Sequence, residues 1–550
     1  GLGSTLFPGA LWAQTDEGQA EVTIEMIDHA ARLAGLSFSA THREEMLEGV
    51  RNNLQGFNEL HELRIDQSVP PPLYFNPVVP GQVFDESRRP FDVGPRSKVT
   101  RPGNLEDVAF WPVTALSQLI QAGQVTSTEL TRMYIDRIRQ YDPVIRSVIT
   151  LTEERALAQA ERADGEITAG RYRGLLHGIP WGGKDLLATR GYRTTWGFKA
   201  YEDQVIDMDA TVVQRLDDAG AVLIAKLSTG EIARGDQWLG IQTKNPWKTD
   251  EGSGGSSAGP GAATAAGLVG FSIGTDTTGS ILGPSRTCGI TGLRPTFGRV
   301  SRHGVMPVCW SLDKVGPMCR SVTDCAIVFE AIYGPDGQDL AVVDKPFNYD
   351  GNASIDGIRV GYLQSAFERE SDDDNRTAVQ NDLAALNELR SLGVDLIPVE
   401  LPEHADMDAL QMLLVDEAAA FDELVHNGDI NLFRQDIDET EDMLMRVARL
   451  HPAVEYVQIN RRRMLLMQEM AKIFDHIDVL VTPFGGSSVQ SATSLTGHPS
   501  VAVQNGFDDD GIPTGFQMIG QLYSEAKALT LARTYQQATG YHRQHPPDFV

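Results

Sequence analysis

Cysteine is scarce in this 550-residue sequence, and basic residues are far fewer than acidic ones. The four cysteines all lie between residues 288 and 325, with a spacing that is not typical of a zinc site. We therefore expect buried free thiols, or one disulfide if the protein is exported. The 47 Lys and Arg residues against 75 Asp and Glu give a formal net charge of −28. This charge argues against nucleic acid and anionic membranes as partners.

A second absence marks residues 252–275, which contain no charged side chain. The stretch is long enough to span a bilayer, but it is rich in Gly and Ser, contains Pro260 and lacks the dense Leu, Ile and Phe of a membrane helix. We therefore predict no membrane insertion. Its small residues favour tight turns and close backbone approach, with hydroxyls directed into a cavity.

Two segments match part of a familiar catalytic or nucleotide-binding motif, but each lacks a feature that the motif requires. Residues 255–259 match the nucleophile elbow G-x-S-x-G, which requires a strand directly before the serine. Residues 248–254 are polar and are predicted to form a loop, so an elbow is disfavoured. Residues 178–184 imitate a phosphate loop, but Asp185 stands where Ser or Thr would bind magnesium. We therefore expect no nucleotide, no other cofactor and no metal.

A third interpretation uses two serines, Ser256 and Ser280, 24 residues apart, and an upstream lysine, Lys184. The motifs around them are GIPWGGKD at 178–185, GGSSAG at 254–259 and GTDTTGS at 274–280. In these motifs the sequence resembles the amidase signature family, whose hallmarks are GIP-x-x-x-KD, GGSS(G/A)G and GTD-x-(G/T)GS. Further matching segments lie at 292–296, 311–317 and 511–520. The resemblance covers roughly residues 105–545.

The resemblance implies a Ser-Ser-Lys triad. Ser280 is the expected nucleophile, Ser256, beside a cis peptide bond, the expected proton relay, and Lys184 the expected base. A buried lysine can serve as a base because desolvation disfavours its charged form. The implied oxyanion hole consists of four backbone N–H groups, those of Thr277, Thr278, Gly279 and Ser280. Two further residues are expected to bind substrate, namely Trp196 and Ser257.

The resemblance also implies a fold and a function. The fold is α/β, with a mixed, largely parallel central sheet covered by helices on both faces, as alternating buried strands and helices also indicate. The implied reaction is hydrolysis of a small-molecule carboxylic amide, extending to aryl amides, esters or carbamates, through an acyl-enzyme. The alternative is a glutaminase-like subunit of a tRNA amidotransferase. The protein is expected to be a monomer or homodimer. Thr278 and Leu282 depart from the family pattern, and Leu282 disfavours an anionic substrate.

Three segments are predicted along the chain. Residues 105–550 form the amidase signature domain. Residues 21–104 form a helical N-terminal extension with a Pro-rich extended linker, similar to the C subunit of the tRNA-dependent amidotransferase. Its second helix is expected to begin at the capping box Thr41-x-x-Glu44. Residues 1–20 resemble the end of an export signal, which predicts a periplasmic or secreted protein, with a cytoplasmic one as the alternative.

Overall fold

The computed structural model describes residues 22–33, 35–62, 73–369, 375–402, 405, 409–433, 441–484 and 487–550. The predicted signal remnant, residues 1–20, lies outside them. The chain divides into two compact units. The small unit comprises residues up to 72, 307–310 and 408–465, and the large unit comprises 73–306, 311–407 and 466–550. The family resemblance predicted a boundary near residue 105, which stays a prediction.

Fifteen strands form within the described residues. They are β1 (Val148–Leu151), β2 (Pro180–Lys184), β3 (Val222–Leu227), β4 (Gln237–Trp238), β5 (Ile241–Gln242), β6 (Lys244–Asn245), β7 (Lys248–Gly252), β8 (Phe271–Asp276), β9 (Thr291–Arg294), β10 (Lys314–Cys319), β11 (Val360–Leu363), β12 (Leu396–Val399), β13 (Val479–Pro483), β14 (Ser500–Phe507) and β15 (Pro513–Gly520). Eleven of them make one sheet in the large unit, in the order β1-β3-β2-β8-β10-β9-β14-β15-β13-β11-β12.

The sheet is mixed, as predicted, but less parallel than expected. Strand β2 pairs in parallel with β3 and β8, and β11 pairs in parallel with β12 and β13. The other six pairings are antiparallel. Strands β14 and β15 form a hairpin closed by an Asp508 N–H that donates to Ile512 O at 2.8 Å. Strands β9 and β13 flank this hairpin on its two sides, and each pairs antiparallel with the hairpin strand next to it. Strand β13 therefore runs opposite to β9.

Helices flank the sheet and also build the small unit. The described residues form α1 (Ile24–Leu33), α2 (Ala40–Glu62), α3 (Val113–Gln121), α4 (Ser127–Ile145), α5 (Glu153–Thr168), α6 (Thr211–Asp218), α7 (Ala258–Ala265), α8 (Leu282–Thr287), α9 (Val322–Ile332), α10 (Gln364–Phe367), α11 (Arg376–Ser391), α12 (Ala409–Ala420), α13 (Asp422–Asn427), α14 (Glu441–Ala448), α15 (Ala453–His476), α16 (Ser487–Leu495) and α17 (Glu525–Thr539). Helices α1, α2 and α12 to α14 belong to the small unit.

Local sequence explains the start of α4 and the burial of the central strands. The Thr126 hydroxyl accepts from the Glu129 N–H at 3.0 Å, and the Glu129 carboxylate accepts from the Thr126 N–H at 2.9 Å, which together form a capping box. All residues of β2, β3 and β8 are buried. Strands with both faces covered consist mainly of small or apolar residues, and these three do so apart from Lys184, Lys226 and Asp276.

The small unit contains the two N-terminal helices that were predicted. Their apolar contact is made by Val22, Ile27 and Val50. The expected capping box at Thr41 is wrong, because α2 begins at Ala40 and Ser39 accepts the His42 N–H at 3.1 Å. Serine is at least as good an N-cap as threonine, so the helix begins at the earlier residue. The similarity of this segment to an amidotransferase C subunit stays a prediction.

Two expectations concern the chain as a whole. All four cysteines are buried free thiols, as predicted. None of the helices in the described ranges combines the length and the apolar character that crossing a bilayer requires.

Candidate active site

Lys184 ends strand β2, between β3 and β8, and is completely buried. Its Nζ donates to Ser256 Oγ at 2.8 Å and to Thr275 Oγ1 at 2.8 Å. The apolar and small residues before it, from Pro180 to Gly183, place the lysine in the interior because they form a strand with no polar face. The predicted contact between Lys184 and Ser256 is therefore present, with Thr275 as a second partner.

Burial lowers the pKa of Lys184 from its ordinary 10.5 to about 7, because the charged ammonium loses its hydration. The carboxylates of Asp276 and Asp313 oppose this effect and raise the pKa. Near neutral pH, a substantial fraction of the amine is therefore unprotonated and able to accept a proton. This is the property required of a general base.

The serine loop before α7 holds Ser256 against the lysine. Ser256 is buried, and the Gly255–Ser256 peptide bond is cis, as the family resemblance implies. The next residue, Ser257, attaches the loop to β8: its hydroxyl donates to Thr275 O at 3.0 Å and accepts from Thr275 N at 3.2 Å. The Ser257 N–H also donates to Ser280 O at 3.1 Å, which brings the second serine next to the first.

The turn from Thr277 to Ser280 connects β8 to α8 and is organised by Asp276. This buried carboxylate accepts from the Gly279 N–H at 2.8 Å and from the Ile281 N–H at 2.8 Å. A carboxylate that receives backbone N–H groups on both sides of a residue fixes the backbone of that residue. Ser280 lies between the two donors, so Asp276 sets its orientation.

Arg294 supports this arrangement from β9. Its guanidinium is 3.7 Å from Asp276 Oδ1 and donates to Thr493 Oγ1 at 2.7 Å and to Ser494 Oγ at 2.9 Å. Asp276 and Arg294 are both completely buried, so each partly compensates the charge of the other. Through Arg294, helix α16 is connected to the turn that carries Ser280.

Of the four backbone N–H groups predicted to form the oxyanion hole, one already donates a hydrogen bond within the protein. The Gly279 N–H is used by Asp276, whereas the N–H groups of Thr277, Thr278 and Ser280 have no acceptor among the described residues. The Ser280 hydroxyl likewise makes no hydrogen bond within the described part of the chain, and Ser280 is partly exposed. Lys184 and Ser256 are thus hydrogen-bonded, and Ser280 is joined to them through its backbone.

Comparison with known proteins identifies the family. The family model described as Amidase matches residues 129–529. The chain belongs to the amidase family. It is 32% identical to the A subunit of the glutamyl-tRNA(Gln) amidotransferase of Thermosynechococcus vestitus over 76% of this chain and 96% of that protein. It is also 32% identical to the native peptide amidase of Stenotrophomonas maltophilia, with a TM-score of 0.70 over 81% of this chain and 99% of that one.

A third similar structure is an amidase family protein from Bacillus anthracis, with a TM-score of 0.71 and 25% identity over 80% of this chain and 93% of that one. These similarities confirm the α/β amidase fold predicted from the motifs. They also confirm that the chain is an enzyme acting on carbon–nitrogen amide bonds.

The two predicted substrate-binding residues of this amidase have structural contacts. Trp196 is only 3% exposed, and its ring centroid lies 4.6 Å from that of Tyr201. The Ser257 hydroxyl is engaged with the backbone of Thr275. Substrate contact by either residue stays a prediction. Leu282, expected to disfavour an anionic substrate, is completely buried.

The loop that carries Trp196 is held by a buried ion pair. Lys226 Nζ lies 2.8 Å from Asp185 Oδ1, and neither side chain is exposed by more than 1%. Asp185 Oδ2 accepts from the Thr195 N–H at 2.8 Å and from the Thr195 hydroxyl at 2.6 Å. Burial lowers the pKa of Lys226, and the Asp185 carboxylate opposes that effect. The pair therefore fixes Trp196 relative to the strand that carries Lys184.

Sequence reasoning missed three residues of the site, namely Thr275, Asp276 and Arg294. All three lie inside motifs that were quoted for the resemblance, so their presence was visible but their contacts were not.

The expectation of a loop at 248–254 is also partly wrong. Residues 248–252 form β7, but β7 pairs only with β6 and is not a strand of the main sheet, so the geometry of an elbow is still lacking. No group of three or more His, Cys, Asp or Glu side chains among the described residues is arranged to hold a metal ion.

Proposed function

We propose that this chain hydrolyses small-molecule carboxylic amides through an acyl-enzyme on Ser280, with Ser256 as the proton relay and Lys184 as the base. The observation that carries the proposal is the 2.8 Å hydrogen bond between a fully buried Lys184 and Ser256. An amine whose pKa is about 7 can take a proton from a hydroxyl that it contacts directly.

In the first half of the reaction, Ser280 Oγ attacks the amide carbonyl carbon. The Ser280 proton passes to Ser256, while the Ser256 proton passes to the neutral Lys184 amine. The negative charge on the carbonyl oxygen is stabilised by the backbone N–H groups of Thr277, Thr278 and Ser280, which have no other acceptor among the described residues. One such donor typically contributes about 3 kcal/mol at the transition state.

In the second half, the C–N bond breaks and the leaving nitrogen receives a proton from Ser256, which is reprotonated by Lys184. Water then attacks the ester on Ser280 and gives its proton to Ser256, while the Ser256 proton passes to Lys184. When the C–O bond to Ser280 breaks, the Ser280 oxygen takes a proton from Ser256, which is reprotonated by Lys184. The products are a carboxylic acid and ammonia or an amine. No residue outside the Lys184, Ser256 and Ser280 group needs to transfer a proton.

The alternative, a glutaminase-like subunit of a tRNA amidotransferase, is ranked lower. Relatives that carry the amidotransferase name are as similar to this chain as the peptide amidase is, so identity does not separate the two functions. The net charge of −28 favours an enzyme that works without a nucleic acid partner.

The test is a panel of anilides, aliphatic amides, glutamine, esters and carbamates with purified protein and its Ser280→Ala variant. We expect turnover of at least one amide by the wild type and none above background by the variant, because the nucleophile is gone. Intact-mass measurement with a slow ester should detect the added acyl group on the wild type alone.

Ser285→Ala is a matched control, since the buried Ser285 hydroxyl on α8 makes no hydrogen bond within the described residues. It should keep wild-type activity. Hydrolysis that survives Ser280→Ala would contradict the proposed nucleophile, and activity on glutamine alone would favour the alternative function.

A further inference from the structure

Gln490, on helix α16, occupies the space beside the nucleophile turn that a side chain at residue 279 would fill. A Cβ placed on Gly279 would lie 2.0 Å from Gln490 Nε2 and 2.8 Å from its Cδ. Gly279 also has a φ of +136°, in the region that favours glycine. The carboxamide of Gln490 therefore lies directly against the residue that precedes Ser280.

Helix α16 is held in this position by its own contacts. Thr493 and Ser494 lie three and four residues after Gln490, so the three side chains share one helix face. The hydroxyls of Thr493 and Ser494 accept hydrogen bonds from Arg294, which lies 3.7 Å from Asp276. The position of Gln490 relative to the turn is thus fixed by contacts that do not use its own amide.

That amide has no protein partner in the described part of the chain. Gln490 is partly buried, and no described residue forms a hydrogen bond with its side-chain oxygen or nitrogen. Because the amide is only partly buried, water can bind it in the free enzyme, and a substrate group can displace that water. A carboxamide that lies against the residue preceding Ser280 is in a position to bind such a group.

We propose that Gln490 is a substrate-positioning residue that binds a secondary amide adjacent to the scissile carbonyl. This inference rests on the proposed function of Ser280. A carboxamide offers one acceptor and two donors, and Nε2, the atom nearest to residue 279, can donate to the C=O of a substrate amide. A plain acyl amide has no second C=O to accept this hydrogen bond. The preferred substrates are therefore amides of N-acylated amino acids, including peptide amides, rather than plain acyl amides.

The test compares two substrates that differ only in this group, N-acetyl-L-leucinamide and 4-methylpentanamide. In Gln490→Ala and Gln490→Met, kcat/KM for N-acetyl-L-leucinamide should fall roughly tenfold, mainly through KM, since about one net hydrogen bond is lost. The values for 4-methylpentanamide should change by less than about twofold. Gln490→Glu, which has nearly the same shape, should show the same selective loss and guards against misfolding. Gln118→Ala is the matched control, because the Gln118 amide donates to Thr114 O within its own helix.

The outcomes separate this inference from the proposed function. Equal losses on both substrates would mean that Gln490 supports the turn rather than the substrate, and no loss on either would mean that it does neither; both results overturn the inference alone. A wild type that cleaves anilides but neither of the two test substrates overturns the substrate class. A wild type that cleaves no amide, or a Ser280→Ala variant that stays active, overturns the proposed function and this inference with it.

Discussion

The protonation of Lys184 determines the pH range in which the proposed hydrolysis can operate. Burial brings its pKa to about 7, so about half of the amine is neutral at pH 7 and about a tenth at pH 6. With an ordinary pKa, only about one lysine in 3,000 would be neutral at pH 7. Because the base must be neutral to accept a proton, kcat/KM should rise about tenfold per pH unit below pH 6 and level off above pH 8.

The assay is the initial rate of amide hydrolysis from pH 5 to pH 10 at constant ionic strength, with intrinsic fluorescence to verify that the protein stays folded. Asp313→Asn is an informative perturbation, since the Asp313 carboxylate raises the pKa of Lys184. Removing that charge should move the acid limb of the profile to lower pH. A profile that still rises tenfold per unit at pH 9 would refute the desolvated base. So would a flat profile, or a shift to higher pH in Asp313→Asn.

Three further predictions concern stability and the support of the site. Lys184→Met should have a higher free energy of unfolding than the wild type at pH 7, and the difference should be about 2 kcal/mol smaller at pH 9. The reason is that the lowered folded-state pKa of Lys184 makes the wild type more stable as pH rises from 7 toward 10.5. Denaturant unfolding at both pH values measures this difference, and parallel pH dependences of the two proteins would contradict the prediction. Arg294→Met should cost about 3–5 kcal/mol in the free energy of unfolding and lower kcat at least tenfold, because Asp276 loses its buried counter-charge; unchanged kcat in the folded variant would show that the turn does not need Arg294. Asp185→Asn should be destabilising by a similar amount and be partly rescued by Lys226→Met, which a double-mutant cycle on thermal unfolding can test; strictly additive effects would mean that the ion pair is not coupled.

The contacts that local sequence specifies were predictable. Lys184 follows a run of small and apolar residues that offers no polar surface, so its burial follows from the strand that contains it. The capping box of α4 and the proximity of Ser256 to the lysine were also visible in motifs of a few residues.

The remaining features depend on residues far apart in the chain. Arg294 donates hydrogen bonds to Thr493 and Ser494, which lie about 200 residues later in the chain, and no local sequence pattern predicts these contacts. The order of the eleven strands also depends on contacts between distant residues, so the sequence did not predict it. For the same reason the antiparallel pairing in the centre of the sheet was not predicted. Helix α16 (Ser487–Leu495) was not predicted, and so Gln490 was not considered.

The long-range bond between Arg294 and α16 has a consequence for biosynthesis. Ser280 leaves the ribosome long before Thr493 and Ser494 are translated, by roughly 10–40 s at ordinary elongation rates. Until those hydroxyls arrive, the guanidinium beside Asp276 lacks its partners. A nascent chain that already contains all three residues of the proposed triad therefore still lacks part of its support, which is complete only after Thr493 and Ser494 have emerged.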